Sequence, residues 1–336
     1  MVALARAIME AIVVEFGPEE ALKRLADPLW FQSLGCVLGF DWHSSGLTTT
    51  TTAAIKEGIR GLERELGLIA AGGKGRTSRK TPDEIRRWAE WLGFDPENLV
   101  YASRMAAKVD SAALQDGYQI YHHAFFFTPK GHWVVVQQGM NTSTRYSRRY
   151  HWLSDSLESF VVEPHSGIMS SKRGSALNLT ARLSAEARKV IAELATAPPW
   201  KVVKELEKLK EFKLPARHEL LIKDINPKNI QKTLLKTYER APRDFEELLS
   251  IQGVGPKSIR ALALVADIIY GAKPSYEDPF VYSFAHGGKD GTPYPVNRRV
   301  YDKTIEVLES AIKSAKIGRK DKLLALKRLS LAFGVD

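Results

Sequence analysis

The chain has 336 residues, of which 44% are hydrophobic and 26% charged, a composition that excludes a disordered protein and a length that allows two or three domains. Lysine and arginine outnumber aspartate and glutamate by 49 to 39, so the net charge is +10 and nucleic acid is the first candidate partner. A basic surface without a ligand would have the same charge. The single cysteine, Cys36, excludes an intramolecular disulfide and a cysteine-based zinc cage. No apolar run is long enough for a membrane span and no signal-peptide pattern opens the chain, so we expect a cytoplasmic protein.

Amphipathic periodicity predicts helices through most of residues 1 to about 70. One ends near Phe16, a second covers 19–30, and a third starts in the threonine run 48–52. The threonines are either a low-complexity tract or a helix cap, and we favour the cap because a threonine hydroxyl accepts hydrogen bonds from free amides. The turn before them carries Asp41 and His43, both candidate site residues.

A basic, glycine-rich segment over 71–84 leads into the next predicted helix, which starts at the Thr-Pro pair 81–82. Its cations are Lys74, Arg76, Arg79 and Lys80. Backbone amides near a helix N-terminus and four cations suit a phosphate, although the spacing is not that of a nucleotide-binding phosphate loop. The alternative is a mobile basic loop at the surface.

Aromatic and β-branched residues then predict a small antiparallel sheet. Residues 118–140 form a predicted β-hairpin with its turn at 129–131, and 159–167 adds a third strand. The segment between them, 141–152, places Arg145, Arg148 and Arg149 beside tyrosine, histidine and tryptophan. This mixture favours contact with a nucleic-acid backbone and its bases, or else is a polar connection whose rings pack on the sheet.

Helical periodicity returns after about residue 180 and leads to two helices around the turn 252–255. Two glycines permit a tight turn, and Pro256 suits the first turn of the second helix. The free amides of that turn could hold a phosphate, with a lysine ammonium adding charge. The groups concerned belong to Gly253, Gly255, Lys257 and Ser258.

The segment 245–271 resembles the helix-hairpin-helix motif of DNA repair and recombination proteins, which bind a DNA backbone without reading its sequence. In base-excision glycosylases of that superfamily a catalytic aspartate follows the motif, and Asp278 stands at a similar distance here. The resemblance therefore implies Asp278 as a catalytic residue, but the glycine-rich insertion 285–299 departs from the family pattern. The alternative is that Asp278 is only a turn residue before Pro279.

Over nearly its full length the chain also resembles an archaeal and bacterial family described only as a domain of unknown function. The shared signatures are "LGFDWHSSGLTTTT", "AGGKG", "VVVQQGMN", "RRYHW", "EPHSGI" and "YSFAHGGKDGTPYPV". The resemblance implies that the basic loop and the histidine segments belong to one recurrent type of protein.

Carboxylates, imidazoles and amides cluster along the predicted sheet. On a strand, His122 and His123 point to opposite faces, so at most one of them faces a given site. Such groups could hold a divalent metal, Mg²⁺ or Mn²⁺, that activates water against a phosphodiester, although isolated histidines beside strands are more often structural. The candidates are Asp41, His43, Asp110, Asp116, His122, His123, Gln137, Gln138, Glu163 and His165.

We therefore expect an α+β domain over 1–180, with helices around a small antiparallel sheet, followed by an all-α helix-hairpin-helix domain over 181–336. The predicted function is that of a DNA-binding protein of repair or recombination, with metal-dependent cleavage as a possible activity. The alternatives are a glycosylase that uses Asp278 on a flipped base and a non-catalytic nucleic-acid-binding adaptor. The sequence leaves DNA versus RNA and the oligomeric state open.

Overall fold

A computed structural model of the chain describes residues 1–41, 44, 46–209, 227–279, 282–283 and 298–333. Its helices are α1 (Val2–Phe16), α2 (Pro18–Ala26), α3 (Pro28–Leu38), α4 (Leu47–Gly58), α5 (Glu63–Leu66), α6 (Thr81–Leu92), α7 (Glu97–Lys108), α8 (Ala185–Thr196), α9 (Pro199–Lys208), α10 (Pro227–Arg240), α11 (Phe245–Ser250), α12 (Pro256–Ile268), α13 (Arg298–Ser314) and α14 (Arg319–Phe333). Its strands are β1 (Ile69–Lys74), β2 (Leu114–Gln115), β3 (Gln119–Phe127), β4 (Trp133–Met140), β5 (Ser147–Leu153), β6 (Gly167–Ser170), β7 (Ser175–Asn178), β8 (Ser275–Glu277) and β9 (Tyr282–Ser283).

The predicted β-hairpin is confirmed as β3 and β4, with its turn inside residues 128–132. These strands form the middle of a six-stranded sheet of order β1-β3-β4-β5-β6-β9. All neighbours are antiparallel except β6 and β9, which are parallel. A second sheet has the order β2-β7-β8.

The third strand does not lie where the sequence predicts it. Residues 159–166 are irregular, because Pro164 has no amide to donate and Glu163 adopts a positive φ of 44°. The strand next to β4 is β5, in the arginine segment that the sequence pattern assigns to a connection between two strands. Its charged residues conceal the period-2 pattern that usually marks a half-buried strand.

Alternation along the central strands divides the hydrophobic core into two parts. Phe125 and Phe127 belong to one cluster with residues of α7, α8 and α12, whereas Phe126 belongs to another with residues of α1, α3 and α4. Because successive side chains of a strand point to opposite faces, the sheet is covered by helices on both sides.

The part of the chain after residue 180 contributes to both clusters. Helices α8 and α12 pack on one face, while α13 and α14 pack against α1 and α3 on the other. This part also contains β8 and β9, so the expectation of an all-α segment is wrong; strands of two or three residues are too short for a periodic signal. The domain boundary at residue 180 remains a prediction.

The N-terminal helices differ from the predicted ones in two details. A separate helix, α3, begins after Asp27, whose side chain accepts hydrogen bonds from the amides of Leu29 and Trp30. The threonine run lies inside α4 and does not cap it, since the Thr52 hydroxyl donates to the carbonyl of Thr48. Across the described ranges, no helix combines the length and apolar character required to cross a membrane.

Candidate nucleic-acid interface

Helices α11 and α12 form a hairpin through the loop 251–255. Gly253 has a φ of 99°, a backbone conformation that favours glycine, and Val254 is buried beneath the loop. Pro256 occupies the first turn of α12, so the exposed Lys257 stands beside the positive end of the helix dipole. Among the described residues, none accepts a hydrogen bond from the backbone amides of Gly253, Gly255, Lys257 and Ser258.

The hairpin loop is held against α7 by a lysine that the sequence pattern does not single out. The Lys108 ammonium donates to the carbonyl oxygen of Ile251, at 3.3 Å, and to that of Val254. Burial lowers the pKa of Lys108. Nothing in the local sequence distinguishes Lys108 from a solvated lysine at the end of a helix.

The basic loop, 71–84, covers the end of β1, a 3₁₀ turn over 75–80 and the start of α6. All four predicted cations are exposed, and within the described ranges none of them forms an ion pair. The base of the loop is fixed at Gly72, whose amide donates to Glu84 at 3.1 Å and whose carbonyl accepts from Lys56 at 2.9 Å. The cations are Lys74, Arg76, Arg79 and Lys80.

One cleft of about 990 Å³ joins these two regions. The basic loop contributes Arg79, α7 contributes Arg104, and the hairpin contributes Ser250 and Gln252. Segments that are distant in sequence, and that are predicted separately to bind nucleic acid, therefore border the same space. His123 lies in its wall.

The adjacent histidines of β3 point to opposite faces of the sheet, as predicted. His122 is 2.9 Å from the Thr52 hydroxyl of α4, whereas His123 is 2.9 Å from the Ser103 hydroxyl of α7. Burial, assisted by His123 and Lys74, lowers the pKa of His122 to about 3. Burial also lowers the pKa of His123, although Gln137 and Asp110 act in the opposite direction.

Asp110 is the centre of a buried hydrogen-bond network. It lies in a turn of π-helix over 109–113 that continues α7. One carboxylate oxygen accepts from Gln137, at 2.6 Å, and from the indole of Trp152, at 2.9 Å; the other is 2.5 Å from His165. Gln137 is also 2.8 Å from His123, so the network connects His123 with His165. The sequence pattern gives no signal for Ser103, and it indicates Trp152 only as an aromatic neighbour of the arginines.

The arginines of β5 do not lie at the surface. Arg148 is 1% exposed and bridges two buried carboxylates, Asp116 at 2.9 Å and Asp278 at 2.7 Å. Burial raises the pKa of Asp116, and the nearby Arg148 opposes this shift. Arg149, also 1% exposed, donates to Gln32 at 2.8 Å. The predicted contact of Arg148 and Arg149 with nucleic acid is therefore wrong, because each guanidinium is buried and donates hydrogen bonds to side chains of the protein itself.

The buried carboxylate Asp278 is engaged in this ion pair and also accepts from the Gly174 amide at 2.7 Å. It is 3% exposed and is separated from the cleft that the hairpin borders, since it is not among that cleft's lining residues. The arrangement favours a structural role for Asp278 over a catalytic one.

A comparison with protein families matches residues 1–296 to the model of a family described as "Protein of unknown function (DUF763)". The chain belongs to the DUF763 family. The match includes the basic loop, α7, the hairpin and the Asp110 network. No curated protein and no solved structure matches the chain.

The remaining candidates of this DUF763 protein lie apart. Glu163 is exposed and forms an ion pair with Arg182 at 2.9 Å, Asp41 is exposed, and Arg145 lies in an exposed turn with a φ of 60°. His43 lies outside the described residues. Within the described ranges, no group of three histidine, cysteine or acidic side chains is placed to hold a metal ion.

Proposed function

We propose that this protein binds a nucleic-acid backbone, with DNA as the first candidate, in the cleft between the basic loop and the helical hairpin. The supporting observation is that groups suited to phosphate lie in this cleft or beside it, in both the basic loop and the hairpin. Of the four exposed cations of the basic loop, Arg79 lines the cleft. Amides without an acceptor lie with Lys257 at the start of α12, directly after the hairpin loop whose Gln252 lines the cleft. Free amides at a helix N-terminus and nearby cations are a recurrent phosphate site.

These groups suit the backbone of a nucleic acid better than its bases. Amides and ammonium groups recognise phosphate oxygens, which are the same at every step of the strand. Binding is therefore independent of sequence and falls steeply as the salt concentration rises, because each phosphate contact releases condensed counterions.

The resemblance of the hairpin to the helix-hairpin-helix motif connects this binding with DNA repair or recombination. That biological role, cleavage with Mg²⁺ or Mn²⁺, and the alternative of a non-catalytic adaptor remain predictions. Backbone binding at the cleft is common to all of them, so it is the first property to test.

The test is fluorescence anisotropy of labelled single-stranded and duplex DNA, and of matched RNA, over a series of salt concentrations. Arg79→Glu places a negative charge in the lining of the cleft, and Lys257→Glu places one at the start of α12, next to the hairpin loop that borders the cleft. We expect both variants to weaken binding to all sequences alike. The salt dependence should also become shallower, by about one unit in log–log slope for each phosphate that the variant no longer neutralises.

Lys320→Glu is the matched control. Lys320 is exposed and, like Lys257, is the second residue of its helix, but α14 lies on the opposite face of the sheet. The same change of charge at Lys320 should preserve most of the affinity for nucleic acid. Equal losses in the Lys257 and Lys320 variants would assign binding to net charge alone and refute the cleft as the site.

A further inference from the structure

Ser103 and His123 form a hydrogen-bonded pair in the wall of the proposed binding cleft. The Ser103 hydroxyl oxygen is 2.9 Å from Nε2 of His123, and both residues line the cleft although each is only 3% exposed. A hydroxyl within hydrogen-bond distance of an imidazole is the arrangement by which a serine nucleophile is activated.

The partners of His123 determine which nitrogen carries the proton. Gln137 uses its amide nitrogen to donate to Asp110, at 2.6 Å, and to the carbonyl of Ala106, at 3.2 Å. Its amide oxygen therefore accepts from Nδ1 of His123, at 2.8 Å. Nε2 is left as an acceptor, so the Ser103 hydroxyl donates to it, as a nucleophile must donate to its general base.

Ser103 differs in this respect from other serines of the helices. The hydroxyls of Ser33 and Ser111 donate to carbonyls one turn earlier on their own helices, those of Leu29 at 2.8 Å and Ala107 at 2.7 Å. This local bond is the usual arrangement for a serine inside a helix. Ser103 points across to the sheet, where His123 is held in place from its other nitrogen.

The same cleft supplies positive charge for a developing anion. Arg79, Arg104 and Lys108 all contribute to its lining. Cations at the site of reaction stabilise the charge that accumulates on phosphoryl oxygens in a transition state. A phosphodiester is thus the substrate class that fits both the cations of the cleft and its Ser103–His123 pair.

We propose that Ser103 and His123 are the nucleophile and general base of a phosphodiester-cleaving site, an inference that rests on the proposed binding of nucleic acid. Ser103 Oγ forms a bond to phosphorus, the bond from phosphorus to the leaving oxygen breaks, and the hydroxyl proton passes through His123 Nε2 to that oxygen. Water then attacks the phosphorus of the phosphoserine, and His123 takes a proton from that water. The bond from phosphorus to Oγ breaks, and Ser103 recovers its proton from His123.

Diisopropyl fluorophosphate tests the pair without knowledge of the natural substrate. Attack by Ser103 on this reagent releases fluoride and leaves a stable phosphoryl adduct, which mass spectrometry of peptides locates. We expect one adduct, at Ser103, that disappears in Ser103→Ala and falls at least tenfold in His123→Asn. Ser111→Ala, on the same helical segment, is the control and should keep the label. Absence of an adduct at Ser103 would overturn the proposal.

Labelled single-stranded and duplex DNA and matched RNA test the substrate class. In EDTA, with protein in excess, we expect shortened strands or a covalent strand–protein adduct on denaturing gels, and neither in Ser103→Ala, although that variant still binds in the anisotropy assay. Intact strands in every arm would overturn the phosphodiester assignment. Labelling of Ser103 without nucleic-acid binding would refute the proposed function, whereas binding without labelling would refute only the Ser103–His123 pair.

Discussion

The ammonium of Lys108, at the end of α7, donates to the carbonyl oxygen of Val254 in the loop of the helical hairpin. This contact joins the helix that carries Ser103 to the loop that is proposed to bind phosphate. This half-buried cation therefore helps to fix the position of the hairpin relative to the cleft.

Lys108→Met keeps most of the aliphatic side chain but removes the donor to two loop carbonyls. We expect the free energy of unfolding to fall by about 1–3 kcal/mol, since buried carbonyls without donors are costly. Amide hydrogen exchange should accelerate in the loop 251–255, and affinity for nucleic acid should fall. Unchanged exchange in the loop would show that Lys108 does not position it.

Arg148→Met tests the buried ion pairs of β5. The substitution leaves the carboxylates of Asp116 and Asp278 buried without their cation, and we expect a loss of about 3–5 kcal/mol in urea-induced unfolding. Arg173→Met removes an exposed arginine from the same region and should cost less than about 1 kcal/mol. Similar losses in the two variants would contradict the structural role assigned to Arg148.

Gly72→Ala tests the base of the basic loop. Gly72 has a φ of 81°, and a Cβ there would collide with the carbonyl oxygen of His123 on the neighbouring strand. We expect more than about 2 kcal/mol of destabilisation, from conformational strain and displacement of the strand. Gly75→Ala is the comparison, because its φ is also positive, at 63°, but the space around it is open. It should cost only about 1 kcal/mol.

Buried neutral histidines should make the protein sensitive to acid. The pKa of His122 falls from 6.5 to about 3 on folding, so between these values the unfolded state binds a proton that the folded state does not. The free energy of unfolding is therefore unaffected by His122 above pH 6.5 and falls as the pH is lowered towards 3. Protonation of His122 alone lowers the free energy of unfolding by about 2 kcal/mol between pH 7 and 5. Urea titrations at several pH values should show a shallower loss in His122→Asn, and an unaltered pH dependence would contradict this.

Gln137→Met tests the orientation of His123. The variant removes the acceptor at Nδ1 while it leaves Ser103 and His123 in the chain, so fluorophosphate labelling should slow by more than about tenfold and its pH profile should change. A purely structural Gln137 would alter the thermal midpoint but not the pH profile of the remaining labelling.

Local features of this fold could be read from the sequence because they depend on residues that are close along the chain. The aromatic and β-branched residues of 118–140 predicted the β-hairpin, and the geometry of a strand predicted the opposite directions of His122 and His123. Glycine and proline around 253–256 predicted the turn between two helices. The hydrogen-bonded pair of Ser103 and His123 has no such signal, because a serine within a helix usually bonds to its own backbone.

The sequence by itself determined the types of most elements, the basic character of the loop and the hairpin, and the family resemblance that residues 1–296 bear out. Only the tertiary structure decided which charges are available to a ligand. Arg148 and Arg149 resemble surface cations in the sequence, yet strand pairing buries Arg148 against Asp116 and Asp278 and buries Arg149 against Gln32 of α3. Burial of a charge depends on partners that are distant in sequence, so composition and periodicity do not report it.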